Sequence, residues 1–117
     1  PELAAGGEGP QSAAPQIVNL TPAQLRAKLD EGNIRLIDVR TSMEVAFGVI
    51  PGAEHIPVDD FDPAKLDLSD GRKVVLYCRS GNRSGTAAER LSAYTGEPAE
   101  HLAGGILAWE DAGEPIE

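Results

Sequence analysis

Short apolar runs recur along the chain, and a helical repeat of apolar positions follows each of them. Four runs predict strands, at residues 34–39, 73–77 and 100–103 and, as a short strand or an extended entry, at residues 17–20. Apolar residues at every third or fourth position after them are typical of helices that pack one face against a sheet. Strands that alternate with helices in this way predict an α/β fold, with a mostly parallel sheet covered on both faces.

Two of the predicted helices carry the clearest signals. The first is expected to begin at Thr21, whose hydroxyl can cap the N-terminus while Gln24 completes a capping box. The helix after the third strand is predicted to bury Ala87, Leu91 and Tyr94, because their i, i+4, i+7 spacing places them on one face.

Two stretches rich in glycine and proline are predicted to lack regular structure. Residues 48–57 are expected to form a turn-rich loop, and residues 1–15 a flexible tail or linker. We therefore expect one domain at residues 16–117. That length is enough for one hydrophobic core and too short for two.

Membrane and export signals do not appear in the chain as given. No apolar stretch approaches the ~20 residues of a membrane-spanning helix. A cytoplasmic protein whose domain makes no membrane contact is expected. Because the chain begins at Pro1 rather than methionine, a periplasmic or membrane-anchored context stays open. A single cysteine excludes an intrachain disulfide, so disulfides do not indicate the compartment.

Charge is distributed unevenly. The net charge of −9 argues against nucleic acid or an anionic membrane as a partner. Between Arg72 and Arg90, however, five basic residues face one acid, so this segment carries +4 and the remaining residues −13. A small anion would be repelled by most of the surface and attracted to this segment.

The one cysteine, Cys78, lies in this basic segment, at the end of the most apolar strand. It opens a short polar loop that leads into a helix, a position where open parallel sheets bind ligands. Backbone N–H groups, the helix N-terminus and the charges of Arg79 and Arg83 all favour a thiolate, and Gly81 allows a tight turn. We therefore predict a lowered pKa for Cys78 and a role as a nucleophile.

The length of the loop separates two kinds of cysteine chemistry. Cysteine-dependent phosphatases have five residues between the cysteine and an arginine, which forms a ring wide enough for phosphate or arsenate. Here four residues separate Cys78 from Arg83, and Ser84 stands at the phosphatase arginine position. The tighter ring suits one additional sulfur atom on the cysteine better than a tetrahedral oxyanion.

Further motifs stand in order around this loop. They are Leu36 to Arg40, Glu44, Gly48, Ile50 to Ala53, Ile56-Pro57, Cys78 to Ser84, Gly104-Gly105, Trp109, Ala112-Gly113 and Pro115. With these motifs the chain resembles rhodanese domains, which are sulfurtransferases, over roughly residues 17–116. The resemblance implies an open, mostly parallel sheet of five strands with helices on both faces.

The resemblance also implies a mechanism in two halves. The Cys78 thiolate would take the outer sulfur of a donor such as thiosulfate, and a thiol or cyanide would then accept that sulfur from the cysteine persulfide. Arg83, joined by Arg79, would hold the sulfonate of the donor. The residues implied to bind substrate are those of the loop: Arg79, Ser80, Gly81, Asn82 and Arg83.

No metal or organic cofactor is implied. His55 and His101 are expected to face solvent or to be hydrogen-bonded, because neither has a second ligand at a metal-binding spacing. The expected partners are a small anionic sulfur donor and a thiol or cyanide acceptor, with a protein acceptor or a fused domain as a further partner.

Three polar residues are expected to support the loop rather than to react. Asp38 and Arg40 end the second strand and are predicted to form an ion pair, with Glu44 either in the same network or on a helix surface. Ser84 directly follows the arginine of the loop.

Two other functions stay open. An arsenate reductase or phosphatase would use the same thiolate, although the loop length counts against it. A sulfur-relay or regulatory module of a larger protein would receive its sulfur from a protein partner, and the predicted linker at residues 1–15 is consistent with such a context.

Overall fold

The computed structural model describes residues 14–117. Residues 1–13, which hold most of the predicted tail, lie outside the described residues. Five strands form one sheet: β1 (Ile17–Leu20), β2 (Ile34–Asp38), β3 (Glu54–His55), β4 (Lys73–Tyr77) and β5 (Ala99–Leu102). The α-helices are α1 (Pro22–Glu31), α2 (Ser42–Val45), α3 (Asn82–Thr95) and α4 (Gly105–Asp111), and short 3₁₀ turns cover Val58–Asp60 and Pro63–Lys65.

The strands lie in the order β1-β5-β4-β2-β3, and every neighbouring pair is parallel. The predicted α/β fold with a five-stranded sheet is confirmed. The chain leaves β2 toward β3 at one edge and leaves β4 toward β5 on the other side. The direction of the connections therefore reverses between β2 and β4. Open parallel sheets bind ligands at this point, beyond the carboxyl ends of the strands. Asp38 ends β2 and Cys78 follows β4, so both lie at this point.

Helices cover both faces of the sheet, and the alternation along β4 decides which face receives the cysteine. Val74, Leu76 and Cys78 belong to the cluster formed with α3. Val75 and Tyr77 belong to the cluster formed with α1 and α4. Since successive side chains of a strand point to opposite faces, the thiol of Cys78 lies beneath the N-terminus of α3.

The predicted capping box at α1 is confirmed. The hydroxyl of Thr21 accepts the N–H of Gln24 at 3.1 Å, and the Gln24 side chain accepts the N–H of Thr21 at 2.9 Å. A second capping box, between Thr41 and Glu44, starts the single turn of α2. The longest helix, α3, has 14 residues. Within residues 14–117 no helix is long and apolar enough to span a bilayer.

Two predictions are wrong in detail. Residues 48–57 were expected to be loop, but Glu54–His55 forms β3 beside β2. A two-residue edge strand with both side chains exposed has no alternating pattern by which to detect it. Tyr94, expected to be buried with Ala87 and Leu91, is 59% exposed. Residues 93–98 are all exposed, so the last turn of α3 extends past the surface that the other described residues provide for packing.

Candidate active site

The loop that follows β4 turns sharply around the sulfur of Cys78. Gly81 has φ +109°, a backbone conformation that favours glycine, and α3 begins at the next residue, Asn82. A Cβ at Gly81 would lie 3.3 Å from the backbone nitrogen of Gly104. The loop is therefore compact because a glycine stands where it approaches the start of α4.

Backbone amides of this loop point at the sulfur. The Sγ atom of Cys78 accepts the N–H of Gly81 at 3.1 Å and the N–H of Ser84 at 3.4 Å. The Oγ atom of Ser84 lies 3.6 Å from Sγ and can accept the S–H of the thiol. The side chain of Cys78 is buried, with the residue 1% exposed. The two N–H groups are hydrogen-bond donors that favour a negative charge on this sulfur.

The predicted lowering of the Cys78 pKa is confirmed. Burial acts in the opposite direction, because it disfavours the charged thiolate. Hydrogen bonds from Ser84, Gly81 and Ser80 outweigh burial and hold the pKa of the thiol below its ordinary value. Hydrogen bonds to the thiolate are therefore the main cause of the lowered pKa, and the charges of Arg79 and Arg83, which were also expected to lower it, are not among the main causes.

Arg83 is bound to a carboxylate. Its Nη1 and Nη2 atoms donate to the two carboxylate oxygens of Glu44 at 2.6 and 2.8 Å, which joins α3 to α2. The Arg83 guanidinium, aided by hydrogen bonds from Thr41, lowers the pKa of Glu44 to about 2. Glu44 therefore neutralises the charge that was expected to face the sulfur.

This pair predicts how stability responds to acid. Folding lowers the pKa of Glu44 to about 2. The ionised carboxylate therefore contributes fully to the free energy of unfolding above its ordinary pKa of 4.5, and this contribution is lost as the pH falls from 4.5 toward 2. We expect Glu44→Gln to be less stable than the wild type at neutral pH. The difference in the free energy of unfolding in urea should shrink as the pH falls through this window.

The matched control is Glu89→Gln on α3, since Glu89 is exposed and forms no ion pair within residues 14–117. Its difference from the wild type should not vary across the same window. A constant difference for Glu44→Gln would contradict the assignment.

The predicted ion pair at the end of β2 is present. The Nη2 atom of Arg40 lies 2.6 Å from an oxygen of Asp38, with both side chains buried. The same Nη2 donates to the carbonyl of Gly48 at 2.7 Å, and the guanidinium lies 5.6 Å from the ring centroid of Tyr77. Arg40 also reaches the backbone carbonyl of Glu44. This network anchors α2 and the residues after it beside the cysteine loop.

A groove of about 250 Å³ adjoins the loop, between α2 and α4. Arg79 lies on its wall and forms no ion pair with any described residue, while Phe47 on the opposite wall is 87% exposed. A larger cavity of about 360 Å³ lies at the other end of the sheet, lined by Val74, Leu91 and Ala99. The smaller groove, and not the larger cavity, is the one beside the predicted chemistry.

His101 and Asn19 lie beside the site, although the sequence pattern does not connect either residue with it. The Nδ1 atom of His101 lies 2.8 Å from the Oγ atom of Ser84, and its Nε2 atom lies 2.7 Å from the Oδ1 atom of Asn19. His55 is bonded to the Arg40 carbonyl. Both histidines are thus hydrogen-bonded, as expected. The adjacency of β4 and β5 is the signal that could have placed His101 behind the cysteine.

Comparison with known proteins decides the family. The rhodanese-like domain family matches residues 21–112. The chain belongs to this family. The crystal structure of a rhodanese-related protein from Thermoplasma volcanium has the same fold, with a TM-score of 0.73 at 28% identity, over 85% of this chain and 96% of that one.

Three curated proteins illustrate the similarity of this chain to known sequences. An uncharacterized protein of Synechocystis is 37% identical over 84% of this chain, which spans 55% of that protein. A sulfurtransferase of Allochromatium vinosum is 38% identical over 74% of this chain and 81% of its own length. Human thiosulfate:glutathione sulfurtransferase is 35% identical over 74% of this chain and 87% of its own length.

Proposed function

We propose that this rhodanese-like protein is a sulfurtransferase that carries sulfur as a persulfide on Cys78. The observation on which the proposal rests is the buried Cys78 sulfur, which accepts the N–H groups of Gly81 and Ser84 inside a four-residue loop closed by Arg83. Such a ring of donors stabilises an anionic sulfur. The names of the bacterial and human relatives support the reaction class.

The reaction has two balanced steps. The Cys78 thiolate attacks the outer sulfur of thiosulfate, a new S–S bond forms, and the old one breaks as sulfite leaves with the bonding pair. An acceptor thiolate or cyanide then attacks the outer sulfur of the persulfide, and Cys78 leaves as a thiolate. No external oxidant or reductant is needed, because the acceptor gains the sulfane sulfur while the electron pair of each broken S–S bond leaves with sulfite in the first step and with Cys78 in the second. The loop amides would stabilise the sulfur anion in both states.

Arg79 is the residue that we expect to receive the sulfonate of thiosulfate first. It is exposed on the wall of the groove beside the loop and has no ion pair within residues 14–117. Ser80 and Asn82 are exposed residues of the same loop, and we expect their polar groups to bind the leaving sulfite. Arg83 would act at closer range, on a sulfonate that has already entered the loop.

The decisive experiment is intact-mass analysis after incubation with thiosulfate. We expect a gain of about 32 Da, one sulfur atom, on the wild type and none on Cys78→Ser. Cyanide should then remove the added mass and yield thiocyanate. An adduct formed from glutathione persulfide but not from thiosulfate would overturn the donor assignment alone. No adduct from either donor would overturn the persulfide.

A sulfur-relay module within a larger protein is the second candidate. It is favoured by the fact that the chain spans 55% of its Synechocystis relative. In that case the isolated domain would accept sulfur faster from a partner protein than from thiosulfate. A cytoplasmic location stays a prediction, which fractionation of cells that produce the full-length protein would test.

A further inference from the structure

A chain of hydrogen bonds leads from the nucleophile to a buried histidine. It runs from Cys78 through Ser84 to His101, and from there to Asn19 on β1. His101 is 7% exposed, and Ser84 is fully buried. A Cβ on Gly85 would lie 3.6 Å from the Cε1 atom of His101, so the first turn of α3 packs directly on the imidazole.

The direction of each hydrogen bond follows from chemistry. The Oδ1 atom of Asn19 can only accept, so the Nε2 atom of His101 carries a hydrogen. A neutral imidazole then has its lone pair on Nδ1, which accepts the hydroxyl hydrogen of Ser84 at 2.8 Å. The Gly81 carbonyl, at 3.3 Å, is the more distant acceptor for that hydroxyl. The Ser84 oxygen is left to accept the S–H of Cys78.

We propose that His101 takes the proton of the Cys78 thiol through the hydroxyl of Ser84, and that it is thereby a positioning residue for the reactive thiolate. The S–H bond breaks, Ser84 gains that proton, and Ser84 passes its own proton to Nδ1. The products are a thiolate and an imidazolium, with no change in total charge.

The same transfer reverses the hydrogen bonds around the sulfur. An imidazolium donates from both nitrogens, so His101 then donates to the Oγ atom of Ser84. The Ser84 hydroxyl becomes free to donate to the thiolate. The sulfur thus gains a third donor, beside the N–H groups of Gly81 and Ser84, at the moment when it becomes charged. Thiolate and imidazolium therefore stabilise each other.

Among the described residues that pack on His101, Cys78 is the titratable group that it reaches, through Ser84. Burial lowers the pKa of His101, which keeps the resting imidazole neutral and able to accept a proton. From α3 it faces Ser84, and the adjacent Arg83 is bound to Glu44. From β1 it faces Asn19, and Leu76 of β4 stands beside it in register.

The test follows the ionisation of Cys78 without any sulfur donor. Because the chain has one cysteine, its alkylation by iodoacetamide reports the thiolate directly. Rates are measured from about pH 5.5 to 10 for the wild type and for His101→Gln, which retains hydrogen bonding but cannot take a proton. His55→Gln is the control, because it removes a histidine outside the chain of hydrogen bonds.

We expect His101→Gln to react about tenfold more slowly near pH 6.5, which corresponds to a rise of about one unit in the thiol pKa. The rates should converge at high pH, where solvent removes the proton. Adding His101→Gln to Ser84→Ala should have no further effect, since His101 acts through Ser84. His55→Gln should follow the wild type.

A rate loss in His101→Gln that is equal at every pH would show a merely structural role and would overturn the proposal, as would a profile identical to the wild type. The proton path rests on the proposed function only in that the thiolate is then used for sulfur transfer. If the profile shifts but thiosulfate adds no sulfur, the proton path stands and the sulfurtransferase assignment is wrong.

Discussion

Replacing Gly105 by alanine should destabilise the protein by about 3 kcal/mol, since a strained backbone and overpacking act together there. Gly105 has φ +61°, and a Cβ at this position would lie 2.5 Å from the carbonyl oxygen of Cys78 and would also collide with the carbonyl group of Arg79. Both carbonyls are held by α4, which donates the N–H groups of Ile106 and Leu107 to them at 2.9 and 3.2 Å. Relief of the collision requires α4 to move away from the loop.

Gly113→Ala is the matched control. Gly113 has φ +77°, and no atom of the described residues lies within 4 Å of the Cβ that alanine would add. Gly113→Ala should therefore lose only the cost of backbone strain, about 1 kcal/mol of the free energy of unfolding. The measurement is urea unfolding, together with the alkylation rate of Cys78 in the folded protein, which should change for Gly105→Ala only. Equal losses of stability in the two variants would contradict the contact between α4 and the loop.

The fold was predictable because most of its strands are long and apolar enough to show a pattern. The runs that became β2 and β4 are buried central strands, and capping boxes begin the helices α1 and α2 that follow β1 and β2. β3 was missed because its pairing with β2 depends on tertiary position and not on a local apolar pattern. Tyr94 was misplaced because a periodic pattern does not show where the underlying sheet ends.

The position of the cysteine loop was also predictable, because a strand end, a glycine and a helix start are adjacent in sequence. The charged and hydrogen-bonded partners of the loop were not predictable in the same way. Glu44 was assigned to the network of Asp38 and Arg40 or to a helix surface, whereas its carboxylate binds Arg83. His101 lies one strand away from Cys78 in space but far from it in sequence. Pairings of this kind depend on the order of strands, which the sequence pattern leaves undetermined.

Arg83→Ala should lower kcat/KM for thiosulfate by about 30-fold, or ~2 kcal/mol. Two effects combine in this variant. A cation beside the loop is lost, and the carboxylate of Glu44 is left unpaired where an anionic donor must pass. The estimate is below that for a fully buried pair because the two side chains are 33% and 27% exposed.

The double variant Arg83→Ala/Glu44→Ala separates the two effects. Removing the carboxylate should restore roughly threefold to tenfold of the lost kcat/KM, because repulsion of the donor disappears while the cation stays absent. Glu44→Ala alone should lower KM, since Arg83 is then free to face the sulfonate. Arg90→Ala is the control on the same helix, because Arg90 contacts the Val58 carbonyl and no carboxylate within residues 14–117. If the double variant reacts as slowly as Arg83→Ala, repulsion by Glu44 has no part in the loss. If Arg83→Ala matches the wild type, Arg83 only joins α2 to α3, and Arg79 is then the arginine left beside the loop to hold the donor.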